Sequence, residues 1–175
     1  MPEIRAAVAD DAEVLALVAA ETFPMACPPH TTAEAIAAFI ATNLSVDAFR
    51  GYLADSEREL FLALEEDEPA GYTMLAYGDP VDADVAAAVT ARPTAELSKV
   101  YVREAFHGTG LSRALVERSI EAARERGAHT LWLGVNQENE RANRFYGKNG
   151  FERVGTKRFL VGDRYEDDFV RELVL

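Results

Sequence analysis

The sequence predicts a single α/β domain whose centre is a strand–helix–strand unit. The apolar run Leu97–Val102 has the β-branched and aromatic content of a strand. After a glycine-containing turn, Leu111, Leu115 and Ala122 recur at helical spacing. A second apolar strand, Thr130–Val135, follows this helix, and strands joined by a helical crossover are parallel. The sequence therefore predicts a parallel βαβ unit at the centre of the chain.

Composition supports one domain over residues 1–175. The hydrophobic content of 49% is enough for a buried core, and no repeat or long linker divides the chain. The formal net charge is −12, from 30 acidic and 18 basic residues. This charge argues against a nucleic-acid or anionic-membrane surface, because both need a basic face. It attracts cations such as amines, although acidity for solubility alone is the simpler explanation.

Several other features restrict the class of protein. Met1–Glu3 lacks the basic and long apolar regions of a signal peptide, and no apolar run approaches the roughly 20 residues that span a bilayer. Cys27 is the single cysteine, so no intrachain disulfide forms, which suits a reducing cytoplasm. The histidines, His30, His107 and His129, lack zinc-type spacing. We therefore expect a cytoplasmic protein without a metal.

The N-terminal half is predicted to contain three strands and three helices. The strands are Ile4–Val8, which is an edge strand, and the hairpin strands Glu59–Leu64 and Ala70–Tyr77, which an acidic turn joins. Capping signals mark the helix starts. They are the pairs Asp10 with Glu13 and Thr31 with Glu34, and a single Ser45. The residues expected to face the core are Val14, Leu17, Val18, Ile36, Phe39, Ile40, Phe49, Tyr52 and Leu53.

Two segments are predicted to be irregular. The first helix should end near Phe23-Pro24, because Pro24–His30 contains three prolines. This segment is apolar for a loop, so it is either a wall over a pocket or a rigid linker that covers part of the core. Gly78–Pro93 is rich in alanine and contains prolines near both ends, which predicts a loop of variable order with a partial helix.

The C-terminal third completes the predicted sheet. Gly127 ends the helix of the βαβ unit, in the position that favours glycine. A further helix is predicted over Glu138–Lys148. Two strands follow, Phe151–Val161 and Tyr165–Leu175, with a turn at Gly162-Asp163 between them. Exposed edges of these last strands favour a homodimer.

The turn inside the βαβ unit suits a phosphate. It reads His107-Gly108-Thr109-Gly110-Leu111-Ser112, and a helix starts there, so several backbone N–H groups and the positive end of the helix dipole meet at one place. The turn is not a Walker A loop, which needs Gly-Lys-Ser/Thr. The dinucleotide fingerprint also fails, because Arg113 occupies the position of the third glycine. At this point a turn without any ligand remains the alternative.

A second segment gives the turn a more specific meaning. Asn139–Phe151 reads Asn-Glu-Arg-Ala-Asn-Arg-Phe-Tyr-Gly-Lys-Asn-Gly-Phe. Together the two segments resemble the GCN5-related N-acetyltransferase (GNAT) superfamily. Its motifs are Arg/Gln-x-x-Gly-x-Gly/Ala and Asn-x-x-Ala-x-x-Phe-Tyr-x-Lys-x-Gly-Phe. The second is matched at every fixed position. The first is matched at Gly110, whereas His107 replaces Arg or Gln and Ser112 replaces Gly or Ala.

The resemblance extends to the order of the predicted elements. It implies a mixed, mostly antiparallel twisted sheet of six to seven strands, flanked by helices, with the βαβ unit as its cofactor-binding centre. Only Gly78–Pro93 and the substrate loops lie outside it. The run Glu96–Val102, with the run Phe106–Gly110, is also similar to small bacterial amine or polyamine acetyltransferases.

The resemblance further implies that acetyl-CoA (coenzyme A) is the acyl donor. The residues it assigns to the cofactor are Val100, Tyr101, Val102, His107, Gly108, Thr109, Gly110, Leu111, Ser112, Arg113, Asn139 and Tyr146. Backbone groups of Val100–Val102 would pair with the pantetheine arm as an added strand does. Arg113 either contacts a phosphate or faces solvent, and Asn139 contacts the cofactor, caps its helix, or does both.

Two residues are assigned to catalysis. Tyr146 would protonate the leaving thiolate as general acid, and the alternative is a core tyrosine with a satisfied hydroxyl. Glu96 is the candidate base for the amine, on the side of its strand that Ser98 shares by alternation. Glu21 is the second candidate base. For both glutamates the alternative is a solvated side chain.

These assignments predict an enzyme that transfers acetyl from acetyl-CoA to a primary amine by direct attack. Cys27 has no histidine beside it in the sequence, which argues against a covalent enzyme intermediate. The alternative is a non-catalytic acyl-CoA-binding sensor or interaction module. The acceptor stays open between a polyamine, an amino acid, an aminoglycoside-like compound and a protein N-terminus. The acidic balance favours a small cationic molecule.

Overall fold

A computed structural model describes residues 2–175, in which strands and helices alternate along the chain. The strands are β1 (Glu3–Ala6), β2 (Arg58–Glu65), β3 (Glu68–Tyr77), β4 (Thr94–Val102), β5 (Thr130–Asn136), β6 (Glu152–Val161) and β7 (Arg164–Val174). The helices are α1 (Ala12–Ala26), α2 (Ala33–Asn43), α3 (Val46–Ala54), α4 (Ala83–Ala88), α5 (Leu111–Glu125) and α6 (Glu140–Lys148).

The strands form one sheet of seven, in the order β1-β2-β3-β4-β5-β7-β6. Every neighbouring pair is antiparallel except β4 and β5, which run parallel with α5 as their crossover. The predicted mixed, mostly antiparallel sheet with a central βαβ unit is therefore confirmed. The chain places the glycine-containing turn where β4 leads into α5, at the middle of the sheet.

Helices cover both faces of the sheet. On one face α5 and α6 pack over a core that contains Leu115, Leu131 and Leu133. On the other face α1, α2 and α3 cover β2 and β3, with Phe49 fully buried between them. The short helix α4 covers β5, β7 and β6 around Trp132, which alternates with Leu131 and Leu133 and so faces away from α5. We call the face of α1–α4 the acceptor face.

The first helix differs from the prediction at both ends. The Asp10–Glu13 box is wrong: the Asp11 side chain accepts from the Val8 backbone N–H at 2.7 Å and binds Arg5, and α1 begins without a side-chain cap. The predicted end is also wrong, because α1 continues through Pro24 to Ala26. In the last turn the missing N–H of Pro24 removes only the bond to one carbonyl.

The core-facing positions were predicted well with one exception. Leu17 is 68% exposed, because the buried positions of α1 include Leu15, Val18 and Ala19 instead. The second cap is one residue later than predicted, since Thr32 rather than Thr31 accepts from the Ala35 N–H. The third is confirmed, with the Ser45 hydroxyl accepting from the Ala48 N–H at 3.1 Å.

The alanine-rich segment between β3 and β4 is anchored to the sheet. Its partial helix is confirmed as α4, and Val85 of this helix is fully buried. The Thr90 backbone N–H and hydroxyl both donate to the Glu172 carboxylate, at 2.9 and 2.5 Å. These bonds contradict the expectation of variable order, because they link the segment to β7. Over residues 2–175 none of the helices has the length and apolar character that a membrane crossing requires.

Candidate active site

The strands β4 and β5 separate part of the way along their length. They pair only from Thr94 to Glu96 on β4 and from Thr130 to Trp132 on β5. Beyond these residues β4 stays paired with β3 on one side, but its other edge faces an opening in the sheet. A cavity of about 400 Å³ occupies this opening. The cavity continues onto the acceptor face, so residues from both faces of the sheet line it.

The open edge of β4 presents backbone hydrogen-bonding groups to the cavity. The Arg103 N–H donates to the Ala70 carbonyl of β3, whereas the Val102 carbonyl turns the other way and accepts from the His107 ring at 2.8 Å. Because backbone groups alternate along a strand, those of Val100 also face the opening, and those of Tyr101 face β3. Of the three predicted positions, Val100 thus has the free backbone edge and Tyr101 contributes its side chain.

The turn that follows β4 is shaped by two glycines with positive φ, Gly108 at +76° and Gly110 at +86°. The Thr109 hydroxyl closes the turn by donating to the Phe106 carbonyl at 2.6 Å. Gly110 is the N-cap of α5 and supplies no side-chain acceptor. The N–H groups of the first helical turn, including those of Leu111 and Ser112, consequently lack a partner within the helix. The turn therefore has the donors that an anion needs.

Two arginines lie near this turn and behave differently. Arg113, which the sequence analysis assigned to the cofactor, is mostly exposed and forms an ion pair with Glu117 along the helix at 2.8 Å. Arg141, at the start of α6, lines the cavity and donates to the Nδ1 atom of His107 at 3.1 Å. Arg141 was not predicted as a site residue, because its closeness to the turn depends on how α6 packs against the turn.

The predicted residues of α6 lie at the same cavity. The Asn139 side chain caps α6 by accepting from the Ala142 N–H at 3.1 Å, and it also lines the cavity. The Tyr146 ring packs at an edge against Phe145 and Phe151. Its hydroxyl makes no hydrogen bond to any group in residues 2–175. Burial raises the pKa of Tyr146 far above its usual range, so the phenol keeps its proton.

Glu96 lies at the point where β4 and β5 separate, and it lines the cavity. Burial raises the pKa of its carboxyl group, although Lys157, Lys99 and Arg58 partly offset this effect. Ser98, which was predicted to share a side of the strand with Glu96, lines the same cavity. A β-bulge leaves Ser98 without a partner on β3, while Lys99 pairs with Met74 and Leu97 pairs with Leu75. Lys99 therefore follows Glu96 on the acceptor face.

Lys99 is one of several charged residues in the cavity that the sequence analysis missed. Burial lowers the pKa of its ammonium group to about 8, against the opposing effect of Glu96. On the far wall Asp168 is only 6% exposed, and burial raises the pKa of its carboxyl group to about 6. The Lys157 ammonium lies 3.9 Å from an Asp168 oxygen. Lys157 and Asp168 resemble ordinary strand residues in the sequence, because only the pairing of β6 with β7 brings them together at the opening.

Apolar groups complete the acceptor side of the cavity. The rings of Phe23 and Phe39 stack with centroids 4.5 Å apart, and Phe159 meets Phe39 edge-on at 5.6 Å. The Lys157 ammonium lies 5.3 Å from the centre of the Phe159 ring. This aromatic wall joins α1, α2 and β6, which are distant in sequence.

The proline-rich segment forms part of the cavity wall. Met25, Cys27 and Pro28 line the cavity, which supports the wall interpretation rather than the linker. Burial raises the pKa of the Cys27 thiol to about 11, so the group stays a thiol near neutral pH. His30 lies 2.6 Å from a Glu166 oxygen and 3.8 Å from a Glu138 oxygen. This cluster ties the segment to β7 and to the turn before α6.

The second candidate base, Glu21, is engaged elsewhere. Its carboxylate accepts from the Arg103 guanidinium at 2.9 Å, and the same guanidinium donates to Glu68 and to the Pro69 carbonyl. Glu21 is absent from the lining of the cavity. The arrangement fixes the end of β4 against α1 and β3, so of the two glutamates predicted as base only Glu96 lines the cavity.

Comparisons with known proteins identify the family of the chain. A family model described as the acetyltransferase (GNAT) family matches residues 18–151. A protein of Mycobacterium tuberculosis named as an uncharacterized N-acetyltransferase is 46% identical over 166 residues, which is 94% of this chain and 99% of the relative. A protein of the same description from Lactobacillus delbrueckii subsp. lactis is 29% identical over 159 residues, covering 90% of this chain and 88% of the relative.

Solved structures share the fold at low sequence identity. The PaiA N-acetyltransferase from Thermoplasma acidophilum, crystallised in complex with coenzyme A, has a TM-score of 0.81 and 21% identity, covering 100% of this chain and 99% of its own. The ribosomal-protein-S18-alanine N-acetyltransferase from Escherichia coli has a TM-score of 0.71 and 20% identity, covering 99% of this chain and 94% of its own.

Proposed function

Because the chain belongs to the acetyltransferase (GNAT) family, we propose that it transfers an acetyl group from acetyl-CoA to a primary amine of a small, cationic acceptor. The observation that carries the proposal is the adjacency of two backbone sites. The free edge of β4 beyond Glu96 leads through the 3-10 turn Glu104–Phe106 to the turn at Gly108–Gly110, where the first N–H groups of α5 have no side-chain cap. An extended amide chain that ends in a pyrophosphate matches this sequence of sites.

The residues at these two sites fit coenzyme A in polarity. The Val100 backbone would pair with the amides of the pantetheine arm. The N–H groups from Gly108 to Ser112 would hold the pyrophosphate, because the His107 N–H, which was predicted to join them, donates to the Glu104 carbonyl at 3.0 Å. Ser112 is small, so it keeps the backbone accessible. Asn139 has an amide N–H₂ left after it caps α6, and this group would donate to the arm. When bound, acetyl-CoA supplies an activated acetyl group as a thioester.

Glu96 and Tyr146 would handle the protons of the reaction. Glu96 accepts the proton of the acceptor ammonium, so that the amine attacks the thioester carbonyl and a C–N bond forms. As the C–S bond breaks, Tyr146 donates its phenolic proton to the leaving sulfur. The raised pKa of each group keeps the tyrosine protonated and brings the glutamate closer to neutral pH. A backbone N–H at the bulge of Ser98 would stabilise charge on the thioester oxygen.

The acceptor side favours an amine that carries positive charge. Glu96, Glu166 and Asp168 are carboxylates at the cavity, and the aromatic wall that includes Phe159 offers cation–π contacts. An acceptor ammonium would displace the Lys157 ammonium from its place between Asp168 and Phe159. A polyamine has this chemistry with an apolar chain between its charges, and we place it first among the acceptors.

We also propose that the protein acts in the cytoplasm, because a chain with one cysteine suits this reducing compartment.

The edge strand β6 favours a homodimer. It is ten residues long and leaves one edge of the sheet unpaired. Light scattering after size-exclusion chromatography measures the mass directly, and a monomer at all concentrations would contradict the dimer.

A thiol-release assay tests the proposed function. Purified protein is mixed with acetyl-CoA and a panel of amines, which includes polyamines, amino acids, an aminoglycoside and a peptide. Release of coenzyme A should depend on the amine, and mass spectrometry should find an acetylated product. Tight binding of acetyl-CoA with no turnover of any amine would instead support the sensor.

A further inference from the structure

Resting on the proposed function, we infer that Arg141 binds the pyrophosphate of coenzyme A, and that His107 is the residue that positions it. The family motif has Arg or Gln at the position of His107, so this chain has an imidazole where the motif has a guanidinium or an amide. The structure brings a guanidinium to the same place from another helix, since Arg141 lies 3.1 Å from the His107 ring.

The hydrogen bonds of His107 determine its protonation. Its Nε2 atom lies 2.8 Å from the Val102 carbonyl oxygen, which only accepts, so Nε2 carries the proton. Its Nδ1 atom lies 3.1 Å from the Arg141 guanidinium, which only donates, so Nδ1 is the acceptor. Both contacts are satisfied only by the neutral ring. His107 therefore adds no charge to the site and instead holds the guanidinium of Arg141.

Arg141 is placed where an arginine is unfavourable without an anion. It is the second residue of α6, in the first turn, where the helix dipole disfavours a cation. Among residues 2–175, His107 is the only group that hydrogen-bonds or ion-pairs with its side chain. Arg141 is exposed and lines the cavity together with Ser112, so its other N–H donors are accessible to a ligand there. A phosphate at the turn would meet these donors and compensate the dipole.

Other charges in the region support the same choice. The pyrophosphate brings negative charge to a chain with a net charge of −12, so a cation at the turn has a large effect on binding. Arg113 is nearer to the turn in sequence, but its guanidinium is bound to Glu117. Arg141 is thus the arginine that both reaches the turn and faces the cavity.

The test compares coenzyme A affinities of variants by calorimetry. Arg141→Ala should weaken acetyl-CoA binding about ten- to a hundredfold, the effect of losing charge-assisted hydrogen bonds. Arg144, on the same helix, is exposed and does not line the cavity, so Arg144→Ala is the matched control and should bind as the wild type does. Equal affinity of Arg141→Ala and wild type would overturn the inference. Failure of the wild type to bind would instead overturn the proposed function.

Truncated ligands identify the phosphate. Arg141→Ala should lose the same factor of affinity for acetyl-CoA and for 3′-dephospho-acetyl-CoA, which keeps the pyrophosphate. Its affinity for acetyl-pantetheine, which has no pyrophosphate, should equal that of the wild type. A loss confined to acetyl-CoA would assign Arg141 to the 3′-phosphate and overturn the inference. An equal loss for acetyl-pantetheine would show a general effect of the substitution and overturn it too.

A double-mutant cycle tests the positioning role of His107. His107→Ala should lower the affinity severalfold in the wild type but have little effect when Arg141 is already alanine. Arg141→Ala combined with His107→Arg should recover most of the affinity, because arginine then stands at the family position. Additive losses, or no recovery in a variant that melts like the wild type, would contradict the pairing.

Discussion

The two ends of the cavity are built from different kinds of group. At the cofactor end, consecutive residues of β4 and the turn at Gly108–Gly110 offer backbone N–H and C=O groups. At the acceptor end, side chains from distant segments converge, such as Phe39 of α2, Lys157 of β6 and Asp168 of β7. A backbone site is encoded by a short run of residues, whereas a side-chain site depends on how the whole sheet is assembled.

The two ends of the cavity also differ in what they cost the stability of the fold. The cofactor end uses N–H donors that the start of any helix has. It therefore lowers the stability of the fold little, and its one special requirement is glycine at two positions. The acceptor end buries carboxylates and ammonium groups whose pKa values shift toward neutrality, with Asp168 at about 6 and Lys99 at about 8. Such shifts mean that the folded protein disfavours these charges. The proposed acceptor site is therefore maintained at a cost to the stability of the fold.

The largest expected effect comes from the residue where the two ends meet. Tyr146→Phe removes the proposed proton donor to the leaving sulfur but keeps the ring that packs against Phe145 and Phe151. We expect kcat to fall about a hundred- to a thousandfold, the usual range for a general acid. Steady-state thiol release measures this loss. The Kd for acetyl-CoA should stay the same by calorimetry, and unchanged kcat would show that Tyr146 is only a packing residue.

Glu96→Gln should lower kcat/KM about a hundredfold and change the pH profile. The base acts only when it is deprotonated, so the wild-type rate should fall as pH drops through the pKa of Glu96. Burial places this pKa above the ordinary value of 4.5. Rates measured across pH should show the acidic limb in the wild type and lose it in Glu96→Gln.

Asp168 provides the control for this assignment. If Asp168 were the base, the limb would lie near pH 6, the pKa to which burial raises its carboxyl group. It would then persist in Glu96→Gln and disappear in Asp168→Asn. Our account expects the reverse, because Glu96 is beside the open edge of β4 and Asp168 is on the far wall.

The fold and the cofactor end could be predicted because their signals are local. The turn His107–Ser112 and the helix after Asn139 each consist of neighbouring residues, and backbone conformation brings them to the site. The acceptor end could not be predicted. Lys99 is moved beside Glu96 by a bulge at Ser98, and nothing in the sequence of β4 marks a bulge. Arg141 was missed because the packing of α6 against the turn brings the two together.

A matched pair of glycine substitutions tests whether the cofactor end depends on its backbone. Gly110 and Gly78 have φ values of +86° and +107°, and an added Cβ meets nothing within 4 Å at either position. Alanine at each should cost about 1 kcal/mol of unfolding free energy, through backbone strain. Only Gly110→Ala should also weaken acetyl-CoA binding, about tenfold, because its Cβ lies where a phosphate approaches. Equal affinities of the two variants would contradict the backbone site.

The smallest expected effect concerns the stability cost of the acceptor end. Asp168 has a folded-state pKa of about 6, above the ordinary 3.8, so its charged form destabilises the folded protein. Asp168→Asn should therefore raise the free energy of unfolding by about 1 kcal/mol or more, because the raised pKa already includes the opposing attraction to Lys157. The gain should be absent below about pH 4 and complete above about pH 6. Chemical denaturation at these pH values measures it, and a loss of stability at pH 8 would contradict the account.

The proposed function requires that the open edge of β4 and the turn after it form a site for coenzyme A. Calorimetric titration of the purified wild-type protein with acetyl-CoA tests this claim most directly, with ATP and NAD as controls. We expect saturable binding of acetyl-CoA at one site per chain and much weaker binding of the two nucleotides, which have phosphates but no pantetheine arm. No binding of acetyl-CoA by folded protein, or equal binding of all three compounds, would contradict it.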